Sequence, residues 1–282
     1  MIEKTILILG AGRQQTFVIS RAKFLGLKVV AVDADLYAEG LSFADYPLPN
    51  VSTHDPEAIL IALDDLRQSG VMIDGVLTMG VEASYSAAVV CHELGLPGIS
   101  PEVAAIASNK SDRLKAFHDA GVSAPRFNFF EDKKKLLESI NILQFPCVIK
   151  ICDRAGSEGI SFCNDEASLR ENLSLLCYSE KGLLVEEYLV GTEHSSESII
   201  IDGEIHTTGF SDRNYDTKFK YPPYFLENGD TAPTALSVEV HQTVLLEIER
   251  AIRALNITCG VAKGDIIVSK EGKPYMLEMA TR

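Results

Sequence analysis

Two architectures follow one another in this sequence, a doubly wound parallel α/β domain and then an α+β domain built on antiparallel sheets. The first is predicted by strand–helix alternation along the N-terminal third. The second is predicted by apolar runs that come in hairpin-spaced pairs, and the change falls at Leu96-Pro97-Gly98. The expected partition is 1–98 and 99–282.

In chain order, Thr5–Leu9 and Lys28–Val32 are β-branched strands, separated by a helical stretch Gln14–Leu25 that Gly26 closes. Asp74–Met79 is a further strand, followed by a helix Ala83–Leu94 with Gly95 as its stop. Beyond the boundary, a helix over Asp112–Ala120 ends at Gly121. The strand runs are Cys147–Ile151, Leu183–Tyr188, Ser198–Ile201 with Ile205–Phe210, and Gly264–Val268 with Pro274–Met279. Between the last two pairs, Val240, Val244, Ile248, Ile252 and Leu255 form one apolar stripe on a helix Val238–Leu255, for which Ser237 is a suitable N-cap. Ser211–Ala235, rich in Pro, Tyr, Asn and Asp, reads as a long irregular segment of the kind that often carries function.

Composition narrows the function classes. With 40 acidic against 26 basic residues, the net charge of −14 opposes binding to nucleic acid backbones. It does not oppose nucleotides, which need only a local cluster of cations. No basic segment leads into an apolar one at the N-terminus, and no apolar run is long enough to span a bilayer, so a cytoplasmic chain that binds no membrane is expected. The six cysteines lack CxxC spacing and are expected as buried reduced thiols. The six histidines are scattered without metal-ligand spacing, and no Ser/His/Asp signature is present.

Gly10-Ala11-Gly12 follows a strand and opens a helix, and Asp33 ends the next strand, as in a dinucleotide-binding turn. The third glycine of that fingerprint is replaced by Gln15, so a tight strand–helix turn in a Rossmann-like domain is preferred over a NAD site.

The C-terminal hairpin is more informative. A two-residue turn at Glu271-Gly272 places Lys270 opposite Lys273 and Asp265 opposite Glu278. Carboxylates facing one another in a sheet repel. A hard divalent cation with oxygen ligands would cancel that repulsion, and magnesium held by two carboxylates and substrate phosphates is a common arrangement. A solvated acidic hairpin without metal is the alternative. Arg282 lies an even number of residues from Glu278 and so on the same face, within reach of a transferring phosphoryl group.

Lys150 ends an apolar strand and is followed by Asp153-Arg154-Ala155-Gly156-Ser157-Glu158-Gly159. A lysine beside a Gly/Ser loop suits phosphate binding, because main-chain N–H groups can approach closely. An ordinary turn is the competing reading. Leu183–Leu189 is a strand carrying Glu186 and Glu187, and Glu193 follows it; a strand edge can read adenine through one carbonyl and one N–H.

In this order the segments resemble the ATP-grasp superfamily, along nearly the whole chain and in its carbamoyl phosphate synthetase-like, carboxylate–amine ligase branch. Asn109-Lys110 with Gly121-Val122-Ser123-Ala124-Pro125 is similar to the first lysine segment, and Val148–Lys150 with its loop to the second. Val185–Glu193 is similar to the hinge, and Asp265, Glu278 and Arg282 to the metal acids and the signature arginine. The resemblance implies a Rossmann-like domain preceding an ATP-grasp domain with antiparallel sheets. It implies ATP as cosubstrate and magnesium, or manganese, as the metal. Lys110, Lys150, Gly156, Ser157 and Gly159 would hold the phosphates, Glu186 the adenine amino group, and Glu193 the ribose. Glu187 and Leu189 would offer main-chain contacts, and Asp265 and Glu278 would bind the metal.

The implied activity is activation of a carboxylate as an acyl phosphate, attacked by an amine or similar nucleophile. Small-molecule substrates are the expected partners, with a homodimer left open. A bicarbonate-using enzyme of the carbamoyl-phosphate synthetase or biotin carboxylase kind, and a nucleotide-binding module without catalysis, are the competing expectations. Three positions depart from the pattern: Ala280 stands where many members have a metal-binding Asn, Ile151 where Pro is frequent, and Glu158 where Lys is common. The sequence also ends inside the signature, at Arg282, where members usually continue.

Overall fold

The computed structural model describes residues 4–152, 159–176, 181–216, 220–221 and 225–282. The chain forms two compact units, one reaching Ala105 and also taking in Arg282, the other running from Ile106 to Thr281. The division falls inside a helix, Pro101–Ser108, just past the Leu96-Pro97-Gly98 turn.

The first unit is built from β1 (Thr5–Leu9), α1 (Thr16–Phe24), β2 (Lys28–Asp33), β3 (Tyr46–Pro49), α2 (Pro56–Gln68), β4 (Gly75–Thr78) and α3 (Ser84–Leu94), before the helix Pro101–Ser108, here α4. Its four strands lie in the order β3-β2-β1-β4, all parallel. The apolar runs explain this. Leu7, Leu9, Val30 and Val32 pack on one face with Ile59, Leu63 and Val90, while Ile8, Val29 and Ala31 pack on the other with Ile19. Strands buried on both faces belong to parallel sheets. β3 was not evident in the sequence because two of its four residues are Pro47 and Pro49; at a sheet edge a missing N–H is tolerated.

The β1–α1 turn is bonded internally. The Asp33 carboxylate accepts the Ala11 N–H at 2.7 Å and the Asp35 N–H at 2.9 Å. Gln15, buried at the position of the missing third glycine, donates its amide to Met79 O at 2.7 Å. The acid that a ribose reader would use is thus spent on shaping the turn.

The second unit opens with α5 (Lys110–Asp119) and continues through β5 (Phe127–Phe130), α6 (Lys133–Glu138), β6 (Cys147–Ile151), β7 (Ile160–Cys163), α7 (Glu166–Leu175) and β8 (Leu183–Glu187). It ends with β9 (Gly191–Ile201), β10 (Glu204–Arg213), β11 (Asp230–Thr231), α8 (Val238–Ala254), β12 (Gly260–Ser269) and β13 (Pro274–Thr281). Two antiparallel sheets result, β5-β8-β6-β7 and β11-β10-β9-β12-β13. α8 starts at its predicted cap, Ser237, which accepts the Val240 N–H, and buries Val244, Ile248, Ile252 and Leu255 completely or nearly so.

Two expectations need correction. β9 is longer than its apolar run suggested, because its inward positions His194, Ser196 and Ser198 are polar yet satisfied: Ser198 Oγ lies 2.9 Å from Thr207 Oγ1, for example. The segment Ser211–Ala235 is not irregular throughout. β10 runs on to Arg213, and β11 pairs Asp230 with Arg213 and Thr231 with Asp212.

Among the described residues no helix is long and apolar enough to cross a membrane. Cys91, Cys147, Cys152 and Cys163 are buried free thiols and Cys259 is a half-buried one; Cys177 lies outside the described residues.

Candidate functional site

The hairpin β12–β13 places Asp265 opposite Glu278, the pairing read from the sequence, although not by the expected route. The loop has three residues, not two. The Ser269 N–H donates to Lys273 O, and Gly272 closes the turn at φ +79°. That third residue shifts the register by one, and a β-bulge between Asp265 and Ile266 shifts it back. Leu277 is the extra residue. Met276 and Met279 therefore both reach the core face, opposite Ile266 and Gly264, while Glu278 turns to the other face with Asp265.

Side-chain cations also face this carboxylate pair. Asp265 Oδ2 accepts from Arg213 Nη1 at 2.9 Å, and Oδ1 meets Lys263 Nζ and, at 3.4 Å, Ser195 Oγ. Arg213 also pairs with Glu227. Burial works against the Arg213 charge, but Asp265 and Glu227 overrule it and raise its pKa.

Glu278 faces Arg113 Nη2 at 3.8 Å and keeps 37% of its side chain exposed. Enclosure pushes its pKa up, but Arg113, Lys110, Lys150 and Lys263 together hold it below the ordinary carboxylate range.

Lys110 and Arg113 come from the first turn of α5, which Asn109 caps by accepting the Ser111 N–H at 2.9 Å. Both are buried, Lys110 at 5% and Arg113 at 3% exposure. Arg113 Nη1 donates to Ala107 O at 2.6 Å, whereas its buried Nε has no partner among the described residues. Burial lowers the Lys110 pKa, with Arg113 and Lys150 acting the same way and Glu278 opposing them. The Lys110 N–H reaches Cys152 O at 3.5 Å, which ties the start of α5 to the end of β6.

Lys150 on β6 and Glu186 on β8 were assigned separately, to phosphate and to adenine; the structure joins them. Lys150 faces Leu184 across the ladder, so Glu186 is its diagonal neighbour on the same face, and Nζ meets Oε2 at 2.6 Å. The pair is nearly closed to solvent, with side-chain exposures of 13% and 3%.

Gly159 has φ +71° and accepts the Ile151 N–H, and a Cβ there would stand 2.7 Å from Ile151 Cδ1; glycine is required at that point. Gly156 and Ser157 lie outside the described residues. Of the predicted hinge, Glu187 spends its N–H on Arg126 O and its carboxylate on the Arg126 guanidinium at 2.7 Å. Leu189 follows the end of β8. Arg282 follows directly on β13.

Glu193 borders a cavity of about 400 Å³ with Thr192, Arg213, Tyr215 and Leu236. Beside it, buried His194 links Asp212 through Nδ1 at 2.8 Å and Thr192 through Nε2 at 2.7 Å. Burial pushes the His194 imidazole below its ordinary pKa against the pull of Asp212. Burial raises Asp212, but Thr234, the Ala235 N–H and His194 outweigh it and hold it low.

The two shifts act together on stability. The unfolded chain protonates His194 at about pH 6.5 and the folded chain only at lower pH, so stability is lost as pH falls through that region. Asp212 adds a second loss below about pH 4. The expected stability is therefore level near neutrality and declines from about pH 6.5 downward, by no more than about 1.4 kcal/mol per pH unit for the one histidine, and Tm falls with it. His194→Gln should flatten the upper part of that decline. A Tm that rises on acidification would contradict this.

The sequence reading missed Arg113 and Lys263. Both had a signal: Arg113 lies three residues after Lys110 on one helical face, a repulsive spacing that needs an acid nearby. Lys263 lies two residues before Asp265 and so shares its face.

Asp265 and Glu278 offer hard oxygen donors at directly paired positions, and this fits magnesium. Among the described residues no group of three or more His, Cys, Asp or Glu could hold a metal alone, so ligand oxygens would complete the coordination.

Comparison with known proteins places the chain in a family. The family model for the D-ala D-ala ligase C-terminus matches residues 117–282. Carnosine synthase 1 of Gallus gallus is 26% identical over 304 residues, covering 99% of this chain and 32% of that protein. A D-alanine–D-alanine ligase of Gloeobacter violaceus is 28% identical over 199 residues, covering 67% of this chain and 64% of its own length. The L-amino acid ligase from Bacillus licheniformis superposes with TM-score 0.83 at 25% identity, over 99% of this chain and 67% of that one. N5-carboxyaminoimidazole synthetase from Staphylococcus aureus complexed with ADP shares the fold at TM-score 0.79 and 17% identity, over 99% and 70% of the two chains. The chain spans about a third of the length of the carnosine synthases that it matches.

Proposed function

Given that the chain belongs to the D-ala D-ala ligase C-terminus family and has the fold of ATP-grasp carboxylate–amine ligases, we propose that it is an ATP-dependent ligase that joins a carboxylate to an amine through an acyl phosphate. Amino acids are the substrate class that best suits the reading, in view of the names of its relatives. The observation that carries the proposal is the Asp265–Glu278 pair set among Lys110, Arg113, Lys150 and Lys263. Such a site neutralises a polyphosphate and orients it.

Asp265 and Glu278 would hold magnesium, which when bound neutralises phosphate oxygens. Lys110 and Lys150 would face the phosphate chain, with the Gly156–Gly159 segment offering main-chain N–H groups. Glu186 would release Lys150 to the phosphates as it takes up the adenine amino group, and Glu187 and Leu189 would add main-chain contacts. Glu193 would receive the ribose hydroxyls.

The substrate carboxylate then attacks the γ-phosphorus in line, ADP leaves, and the amine displaces phosphate from the acyl phosphate. Arg282 would balance the charge that develops during transfer. No protein nucleophile is needed. The reaction draws on ATP, which suits a cytoplasmic location.

The test is an ADP-release screen over single amino acids, amino-acid pairs and bicarbonate, with magnesium present and hydroxylamine as trap. ADP with a hydroxamate of one amino acid is the expected result. Release driven by bicarbonate alone would replace the proposal with a carboxylating activity. Tight nucleotide binding without any turnover would reduce it to a binding module.

A further inference from the structure

β9 alternates between the core and the face that carries Asp265. His194, Ser196, Ser198 and Ile200 are buried, whereas Glu193, Ser195, Glu197, Ile199 and Ile201 are half-buried or exposed. Each outward step of two residues advances about 7 Å, so the strand measures distance along the site. Glu193 borders the cavity given above to the ribose. Ser195 pairs with Asp265 and lies 3.4 Å from its carboxylate. Glu197 is the next step, about 13 Å from Glu193 along the strand. With ribose at the first step and metal and phosphates at the second, Glu197 stands past the end of the polyphosphate, where a substrate must approach the γ-phosphorus.

Glu197 pairs with Lys263 on one side and with Gly209 on the other, and Lys263 pairs with Ala280. An acid and an ammonium thus lie at directly paired positions, with small residues at both flanks. A Cβ at Gly209 would lie 3.4 Å from Glu197 Cβ, so glycine leaves that side of the acid uncrowded. Lys263 Nζ reaches back along the strand to Asp265. One step further out the row is apolar: Ile199 pairs with Val261, and Ile199 is 41% exposed. Phosphate end, charged pair and apolar strip therefore follow one another in order.

Resting on the ligase reading above, we propose that the carboxylate donor is an α-amino acid with an apolar side chain, that Glu197 accepts its ammonium group, and that Ile199 and Val261 receive its side chain. Its carboxylate lies on the Lys263 side of the row, facing the γ-phosphate. A carboxylate oxygen bonds to phosphorus as the bond from phosphorus to the bridging oxygen of ADP breaks. The ammonium keeps its protons throughout, held by Glu197, and an amine in that form is no nucleophile. The activated amino acid is thereby kept from serving as its own acceptor.

The experiment compares leucine with isocaproate, the same carbon skeleton without the ammonium, in ADP release with hydroxylamine as trap. Leucine should be used with a KM at least about tenfold below that of isocaproate, the effect of one hydrogen bond between charged groups. Glu197→Gln should raise the leucine KM by a similar factor, bring it near that of isocaproate, and leave the KM for ATP and the magnesium requirement unchanged.

Equal use of isocaproate and leucine by the unaltered protein would overturn the inference while leaving the ligase reading in place, and this comparison depends on no variant. A hydroxamate formed from glutamate but not from leucine would overturn it as well. So would an unchanged leucine KM in Glu197→Gln, or a raised magnesium requirement in its stead, which would make Glu197 a ligand of the cation. A protein that releases no ADP with any carboxylate would instead remove the ligase reading and this inference with it.

Discussion

Replacing Glu278 with Gln should lower magnesium-dependent ADP release by about 10³-fold, equivalent to roughly 4 kcal/mol of transition-state stabilisation. The change is nearly isosteric and keeps a hydrogen-bond acceptor toward Arg113. It removes the negative charge on which Arg113, Lys110, Lys150 and Lys263 converge. Because Glu278 is 37% exposed and stands 3.8 Å from Arg113, that ion pair is partly screened and adds about 1 kcal/mol or less to stability. Activity and stability should therefore separate, with ADP release nearly abolished and Tm shifted by only a few degrees. Equal activity in Glu278→Gln at saturating magnesium would remove the carboxylate pair from the chemistry.

The second large effect is on folding. Lys150 and Glu186 form a pair nearly closed to solvent, so deleting one partner strands the other charge. Lys150→Met should cost about 3–5 kcal/mol, because Glu186 would remain buried and uncompensated. In a unit of this size that corresponds to a Tm fall of about 10 °C. The double change Lys150→Met with Glu186→Leu should recover most of the loss, since an apolar pair of similar volume carries no desolvation cost. A double-mutant cycle by thermal or urea unfolding measures the coupling. Additive losses would mean that the two side chains do not depend on each other.

What the sequence disclosed followed from period and punctuation. β1 and β2 were legible because their β-branched runs are marked off by Gly10 after the first and Gly26 before the second, and α8 because its apolar residues recur at helical spacing behind Ser237. Asp265 and Glu278 were legible because a hairpin is local: one turn fixes which residues face each other. The Lys150–Glu186 bond was hidden because it depends on β6 and β8 being neighbours, and β7 and α7 separate them in sequence. β9 was hidden for a different reason. Its buried positions carry His194, Ser196 and Ser198, whose burial is tolerated only because of hydrogen bonds to strands elsewhere in the chain. Local pattern finds apolar burial; polar burial requires the partners.

The one-residue bulge at Leu277 makes the C-terminal strand a phase shifter between two incompatible demands. On the turn side, side chains keep step with a three-residue loop; on the far side they keep step with the acid of the neighbouring strand. Loop length and acid placement are thus geared together. Adding or removing a single residue in the loop would swing Glu278 inward and Met279 outward unless a matching change were made at the bulge, whereas a change of two residues would leave both facing as they do. Natural variation in this hairpin should therefore come in even steps, or in compensated pairs.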